Sequence, residues 1–205
     1  MLWRHLPLAG ILSVIVIAGV LRPLWQFVRH GSFGVFLFRR GGAGQKLRDA
    51  LLFVLVTAYA AHALTGARQP HWVRLLVAEN GPAYEALQVI GAGLIIGGVI
   101  LFAVAQLNLG GSWRIGIDEG SKPGMVSGGL YSISRHPIYL GFLTVFTGYA
   151  AMLPTPLSLG LLLGAYVGFR TQASAEEAYM LRTYGAPYRE YARRVGRFLP
   201  GVGRL

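Results

Sequence analysis

The chain contains no cysteine. Disulfides, thiolate metal sites and cysteine nucleophiles are therefore excluded, which leaves histidine, carboxylates and arginine for any chemistry. Charge is also scarce: 13% of the 205 residues are charged, 8 of them acidic against 19 basic. Soluble domains carry about twice that share. Apolar residues take its place, at 54% of the chain with a mean hydropathy of +0.50. They gather into runs near the ~20 residues that cross hydrocarbon. An integral membrane protein is expected, with the lipid bilayer as its first partner.

The runs extend from Leu6 to Leu21, Leu51 to Thr65, Ala86 to Leu107, Ile138 to Leu153 and Leu157 to Phe169. The last two are short and are separated by the turn signal Pro154-Thr155-Pro156. They form either a tight hairpin or a re-entrant pair, and in both cases their outer ends emerge on one face. Arg4 ahead of the first run admits a signal peptide. However, that run continues to Arg22-Pro23 without a small-residue cleavage pattern, so a retained helix is expected. The fold class is all-α: a polytopic membrane helix bundle of about five segments.

Basic residues sort cleanly against these segments. Arg22, Arg29, Arg39, Arg40, Lys46, Arg48, Arg114, Lys122, Arg135 and every arginine from Arg170 onward fall on one face, whereas Arg4, Arg68 and Arg74 fall on the other. Cytoplasmic loops collect Lys and Arg, so the N-terminus is expected outside and the C-terminus inside. The small size points to a bacterial or archaeal inner membrane. The basic balance is thus a topology signal. No segment is long enough to form a soluble nucleic-acid-binding module, and no nucleic-acid partner is expected.

Gly91-Ala92-Gly93-Leu94-Ile95-Ile96-Gly97-Gly98 lies inside a continuous apolar segment with no preceding strand, so it is not read as a nucleotide loop. Gly93 and Gly97, like Gly160, Gly164 and Gly168, have the four-residue spacing that lets helix backbones approach in lipid. They are expected to form packing seams, with the fifth segment deep in the bundle.

The polar segment from Leu109 to Arg135 is rich in glycine and suited to lining a ligand. It ends in Gly128-Gly129-Leu130-Tyr131-Ser132-Ile133-Ser134-Arg135-His136-Pro137, with Pro137 suited to a first helical turn and His136 near the N-cap. Two readings stand side by side. Arg135 with the helix start forms an anion cradle, or Arg135 is an interfacial anchor and His136 a polar cap. Further on, Gln172 to Tyr184 is expected to be a helix leaving the membrane, stopped by Gly185 and Pro187. It carries the adjacent carboxylates Glu176 and Glu177. Neighbours about a hundred degrees apart on a helix are not expected to face one partner together. A second helix with the apolar stripe Tyr188, Tyr191 and Val195 is expected along the membrane face.

Taken together, Gly128-Gly129-Leu130-Tyr131, Arg135-His136-Pro137-Ile138-Tyr139-Leu140-Gly141, Glu176-Glu177, Tyr184-Gly185, Tyr188, Tyr191 and Arg197-Phe198-Leu199-Pro200 resemble the C-terminal half of the isoprenylcysteine carboxyl methyltransferase family. Phospholipid N-methyltransferases share much of the pattern. The resemblance implies an integral membrane methyltransferase that uses S-adenosylmethionine and needs no metal. It divides the chain into N-terminal membrane segments, 1–104, and a cofactor-binding and catalytic half, 105–205, with a cytoplasmic catalytic region. By motif matching, Gly128, Leu130, Tyr131, His136, Pro137, Tyr139 and Glu177 would contact the cofactor. Arg135 and Glu176 would sit nearest a lipophilic or membrane-accessible acceptor, whose carboxylate, amine or thiol identity the residues leave open. One departure is that the arginine close before the glutamate pair in relatives is here Arg170, six residues upstream of Glu176.

Two other classes are weighed against this. An NADPH-dependent membrane reductase of the sterol-reductase type would need more membrane segments and a 2′-phosphate site, neither of which is visible. A non-catalytic membrane scaffold protein would have no need of the intact motif residues.

Overall fold

The computed structural model describes residues 3–35, 37, 42–69, 72–79, 81–115 and 124–205. Arg39, Arg40, Lys122, Gly116 and Gly120 lie outside the described residues. The chain runs through α1 (Leu6–His30), α2 (Ala43–Arg68), α3 (Pro82–Asn108), α4 (Pro137–Met152), α5 (Pro156–Tyr184) and α6 (Ala186–Arg194). Proline sits in the first two positions of α3, α4, α5 and α6, where a missing N–H breaks no hydrogen bond.

The α4–α5 turn is sharp because Thr155 caps α5. Its hydroxyl accepts from Ser158 N at 2.9 Å, and the Ser158 hydroxyl accepts from Thr155 N at 3.0 Å. Between α5 and α6, Gly185 takes φ +61°, a left-handed value that glycine tolerates best.

Three helices, α1, α2 and α3, are long and apolar enough to cross a bilayer, and α4 is a shorter apolar helix. At 16 residues α4 spans ~24 Å, less than a full ~30 Å hydrocarbon core. Large apolar side chains such as Phe53, Val54, Val89, Ile100, Leu163 and Val167 point outward. That pattern is costly in water and natural in lipid, so the chain is an integral membrane protein.

In two helices the structure runs further than the apolar runs suggest. α1 passes straight through Arg22-Pro23, because the helix widens to a π turn over Ile17–Leu21 and the Arg22 N–H reaches back to the Ile17 carbonyl. α5 joins the fifth apolar run to the polar stretch 172–184 without a break.

The glycine seam differs too. Substituting a Cβ at Gly93, Gly97, Gly160 or Gly168 meets nothing within 4 Å, and at Gly164 it touches only Leu55. The close approach is instead between α3 and α4. A Cβ at Gly98 would lie 2.7 Å from Val145 N, and one at Gly148 would lie 2.8 Å from Ile95 N. Gly91 and Gly98, like Gly141 and Gly148, are seven residues apart, a two-turn spacing that stays on one face. Consequently α4, and not α5, is the buried helix: Val145, Phe146, Tyr149, Ala150 and Met152 are all core residues.

Candidate functional site

The site forms where the start of α4, the outer half of α5 and the segment after α6 meet. Residues 134–136 and 196–197 pair in parallel: Arg135 N donates to Gly196 O at 2.9 Å and His136 N to Arg197 O at 3.0 Å. Ser134 reinforces the pairing, its hydroxyl donating to Arg197 O at 3.1 Å. The pairing fixes the backbone from which Arg135 and His136 both reach Glu177 Oε1. Pro137 then opens α4, with Leu140 N donating to His136 O at 3.1 Å.

Arg135 is buried, and all five of its donors have protein acceptors. Nε and Nη2 bind Glu177 Oε1 at 3.1 and 2.8 Å, Nη1 binds Ala192 O and Val195 O at 2.9 and 2.6 Å, and Nη2 also binds Gly203 O at 2.9 Å. This is the full capacity of a guanidinium. A second arginine, Arg197, forks onto the same carboxylate, Nε to Oε1 at 3.0 Å and Nη2 to Oε2 at 2.7 Å. Its Nη1 stays outside that fork. Burial alone would raise the Glu177 carboxyl, but hydrogen bonds from His136, Arg197 and Arg135 outweigh it and hold the group down at about 2.

Glu176 and Glu177 do share one partner. His136 Nε2 lies 3.2 Å from Glu177 Oε1 and Nδ1 lies 3.5 Å from Glu176 Oε2. The imidazole has two nitrogens on different edges, so it bridges carboxylates that diverge around the helix. Burial disfavours charge on His136, yet the two glutamates win and its pKa is raised above the usual value. With a carboxylate at each nitrogen, the protonated form of the ring is favoured. Glu176 also accepts from Tyr139 Oη at 2.5 Å and Gln172 Nε2 at 2.9 Å. Burial pushes Glu176 up, but these donors and His136 leave it lowered. Its side chain remains 31% exposed against 4% for Glu177, so Glu176 is the carboxylate that faces outward.

On the loop side, Gly128 leads into a short turn, Gly129–Ser132. Gly129 takes φ +59°, and a Cβ there would strike the Asn108 side-chain oxygen. That oxygen accepts from Leu130 N at 2.8 Å. Tyr131 is buried, and its carbonyl accepts from Tyr191 Oη at 2.6 Å. Burial pushes its phenol up, as do Glu176 and Tyr191, while Arg22 pulls the other way. Beneath the site runs an aromatic column. His136 stacks on Tyr139 at 5.5 Å, Tyr139 on Phe169 at 5.0 Å, and Phe142 on Phe169 at 5.2 Å.

Thus His136, Tyr139, Glu176, Glu177 and Arg135 come together, while Leu130 and Tyr131 reach the cluster through Tyr191, with Gly128 and Pro137 framing the loop and the helix start. Arg170 is exposed and contributes no side-chain contact of this kind. Residues that sequence reasoning left unassigned complete the site: Asn108, Ser134, Gln172 and Arg197. Gln172 sits one turn before Glu176, a spacing that could have drawn attention to it. It also accepts from Arg48 Nε of α2 at 2.8 Å. The stripe Tyr188, Tyr191 and Val195 is buried against Met125, Met180, Leu181 and Tyr184, so it packs on protein and not on the membrane face.

The donor set fits a small cationic cofactor that also carries an anionic end. Glu176 beside the Tyr139 ring suits a positive centre, and the edge of Arg197 outside its fork suits a negative one, on the cofactor or on an acceptor beside it. Gln106, a turn before Gly110, has both side-chain amide atoms buried without a hydrogen-bond partner, a donor and an acceptor of the kind a polar ligand satisfies.

Comparison with known proteins agrees. Residues 87–187 match the phospholipid methyltransferase family. A probable protein-S-isoprenylcysteine O-methyltransferase from Oryza sativa subsp. indica is 28% identical over 154 residues, covering 73% of this chain and 80% of the rice protein. The protein-S-isoprenylcysteine O-methyltransferase of Saccharomyces cerevisiae is 33% identical over 123 residues, covering 58% of this chain and 52% of the yeast protein. The structure of the eukaryotic intramembrane Ras methyltransferase isoprenylcysteine carboxyl methyltransferase superposes with a TM-score of 0.53 at 19% identity, over 95% of this chain and 74% of that one, which shows a shared fold. None of the three is a reductase, the other enzyme class raised by the sequence. The helical membrane fold and these matches support an integral membrane methyltransferase similar to the isoprenylcysteine carboxyl methyltransferase family.

Proposed function

We propose that the chain transfers a methyl group from S-adenosylmethionine to an anionic, lipophilic acceptor at the cytoplasmic membrane surface. The observation that carries this reading is the placement of His136 with a carboxylate at each ring nitrogen, Glu176 and Glu177, an arrangement that favours the protonated ring. A protonated ring cannot take a proton. Glu177 is ionised but saturated by two arginines, and Glu176 is a weakened base. An amine or a protonated thiol needs a base, whereas a carboxylate or thiolate arrives ready to react.

When bound, S-adenosylmethionine supplies the methyl group from its sulfonium. The surrounding residues bind, orient and keep the site dry, which is the main aid available to an in-line displacement. In this reading residues 105–205 carry the cofactor site and 1–104 the remaining membrane segments. Gly128, Leu130, Tyr131, His136, Pro137 and Tyr139 would line the cofactor. Glu176 would face its positive centre, Arg135 and Glu177 would hold the frame, and the free edge of Arg197 would orient the acceptor anion. Arg135 and Arg197 balance the two carboxylates, and a protonated His136 would leave positive charge for that anion. An apolar groove lined by Leu143, Thr147, Leu159, Leu162, Leu163 and Tyr166 runs between α4 and α5. Tyr139, Leu143 and Thr147 succeed one another at four-residue steps, so the groove leads along α4 toward the site and suits a lipid tail.

The test uses detergent-purified protein and methyl-labelled S-adenosylmethionine with three acceptors: a prenylated cysteine carboxylate, a long-chain thiol and phosphatidylethanolamine. Label is expected on the carboxylate, and on the thiol only as far as the pH ionises it, and Arg197→Ala should lower transfer about tenfold or more. Preferential labelling of phosphatidylethanolamine would overturn the anionic acceptor.

A further inference from the structure

Arg22 lies within a membrane helix yet is only 4% exposed. A charge buried in an apolar helix is expensive unless it is well paired and has a task. Its Nη1 donates to Gln26 Oε1 at 2.8 Å, Nη2 to Gly110 O at 2.6 Å and Nε to Gln106 O at 3.4 Å. The guanidinium lies between two rings, 4.3 Å from Trp25 and 4.8 Å from Trp113. Gln26 adds a bond to Gly111 O at 3.1 Å.

Apart from Gln26 and Trp25, every one of these partners belongs to the last turn of α3 or the turn just after it. The unpaired carbonyls there form the negative end of the helix, which a cation stabilises. Gly110 takes φ +51°, so the chain turns sharply at the carbonyl that Arg22 holds. Asn108 stands two residues before that carbonyl, and its side chain fixes Leu130 N. The path from Arg22 to the loop at 129–131 is therefore short and entirely hydrogen-bonded or covalent.

The aim of Arg22 is built into its own helix. The π turn over Ile17–Leu21 contains one residue more than an α turn needs, and the Arg22 N–H closes it on Ile17 O. One added residue rotates the remainder of the helix by about 100°. Without it, Arg22 would face away from the end of α3.

We infer that Arg22 is a positioning residue for the methyl-donor loop, acting through the end of α3 and Asn108 on Leu130 and Tyr131. This rests on the reading that the loop lines S-adenosylmethionine. The Arg22 side chain is taken up by Gln26, Gln106 O and Gly110 O, so its role is to set where the loop lies. The planar fork and the ring sandwich demand arginine, because lysine supplies charge without the fixed geometry.

The test combines calorimetric binding of S-adenosylhomocysteine with amide hydrogen exchange, on the full chain in detergent, for Arg22→Gln, Arg22→Lys, Asn108→Ala and the Arg22→Gln/Asn108→Ala double variant. Arg22→Gln and Arg22→Lys are each expected to weaken binding about tenfold and to speed exchange at residues 129–133, with α4 amides and the α3 amides before its last turn unchanged. The double variant should be no worse than the weaker-binding single, because the two residues lie on one path. Folded Arg22→Gln protein with wild-type exchange at Leu130 and wild-type affinity would overturn the inference, as would additive losses in the double variant. Wild-type protein that binds no S-adenosylhomocysteine would overturn the cofactor reading instead, and exchange in the ligand-free variants then decides alone whether Arg22 sets the loop.

Discussion

Glu177 is the residue on which the site is built. It is an acceptor for Arg135, Arg197 and His136 at once, so removing any one donor leaves charge buried without its partner. Breaking such a pair typically costs about 3–5 kcal/mol. Arg135→Ala is therefore expected to lower the unfolding midpoint sharply, and Arg135→Lys should restore little of it, since a single ammonium cannot serve Glu177 and three carbonyls together. Thermal unfolding in detergent checks both. The pH dependence comes from the same geometry. Glu177, held at about 2 against an ordinary 4.5, adds stability that is complete above 4.5 and is lost as pH falls toward 2. His136, raised above 6.5, adds stability that is complete below 6.5 and is lost as pH rises through its raised value. Unfolding midpoints should thus fall on both flanks, and Glu177→Gln should shrink the acid flank to the part that Glu176 contributes and draw the alkaline one to lower pH. A midpoint independent of pH across both ranges would contradict the described knot. The motif residues were legible in the sequence as a set, but their pairing was not. Arg135 and Glu177 are 42 positions apart, and no local spacing tells which glutamate meets which cation.

The elements were legible where an apolar run had an abrupt end, as in α3 and α4. They were misread where a local signal was overridden. Arg22-Pro23 looks like a stop, yet the π turn carries the helix through it. The glycine seam was placed on a four-residue period, whereas α3 and α4 pack along a seven-residue one through Gly91, Gly98, Gly141 and Gly148. Both spacings occur in the same run, and only the position of the neighbouring helix separates them. The contrast gives a direct comparison. Gly98→Ala places a methyl against the α4 backbone and should destabilise by about 1–3 kcal/mol. Gly97→Ala meets open space and should be neutral, or stabilising by up to about 1 kcal/mol. Equal effects of the two in thermal unfolding would contradict the seam.

For the whole molecule, the apolar surface fixes the bilayer as solvent, and the basic residues supply the proposed direction. Because the chain lacks cysteine, a single introduced thiol reports its side unambiguously. Ala78→Cys, in the loop between α2 and α3, is expected to react with a membrane-impermeant maleimide in intact cells, and Arg204→Cys only after lysis; the reverse would invert the topology. The fold brings the end of α3, the start of α4, the outer half of α5 and the segment after α6 to one end of the bundle, and the cofactor site is proposed there. The most direct test of that claim is calorimetric titration of S-adenosylmethionine, which carries the sulfonium charge, into the purified protein, with Glu176→Gln in parallel. Saturable binding by the wild type, weakened about tenfold or more in Glu176→Gln while the fold persists, is the predicted result; folded wild-type protein that takes up no S-adenosylmethionine, or a Glu176→Gln variant that binds it equally well, would contradict the site.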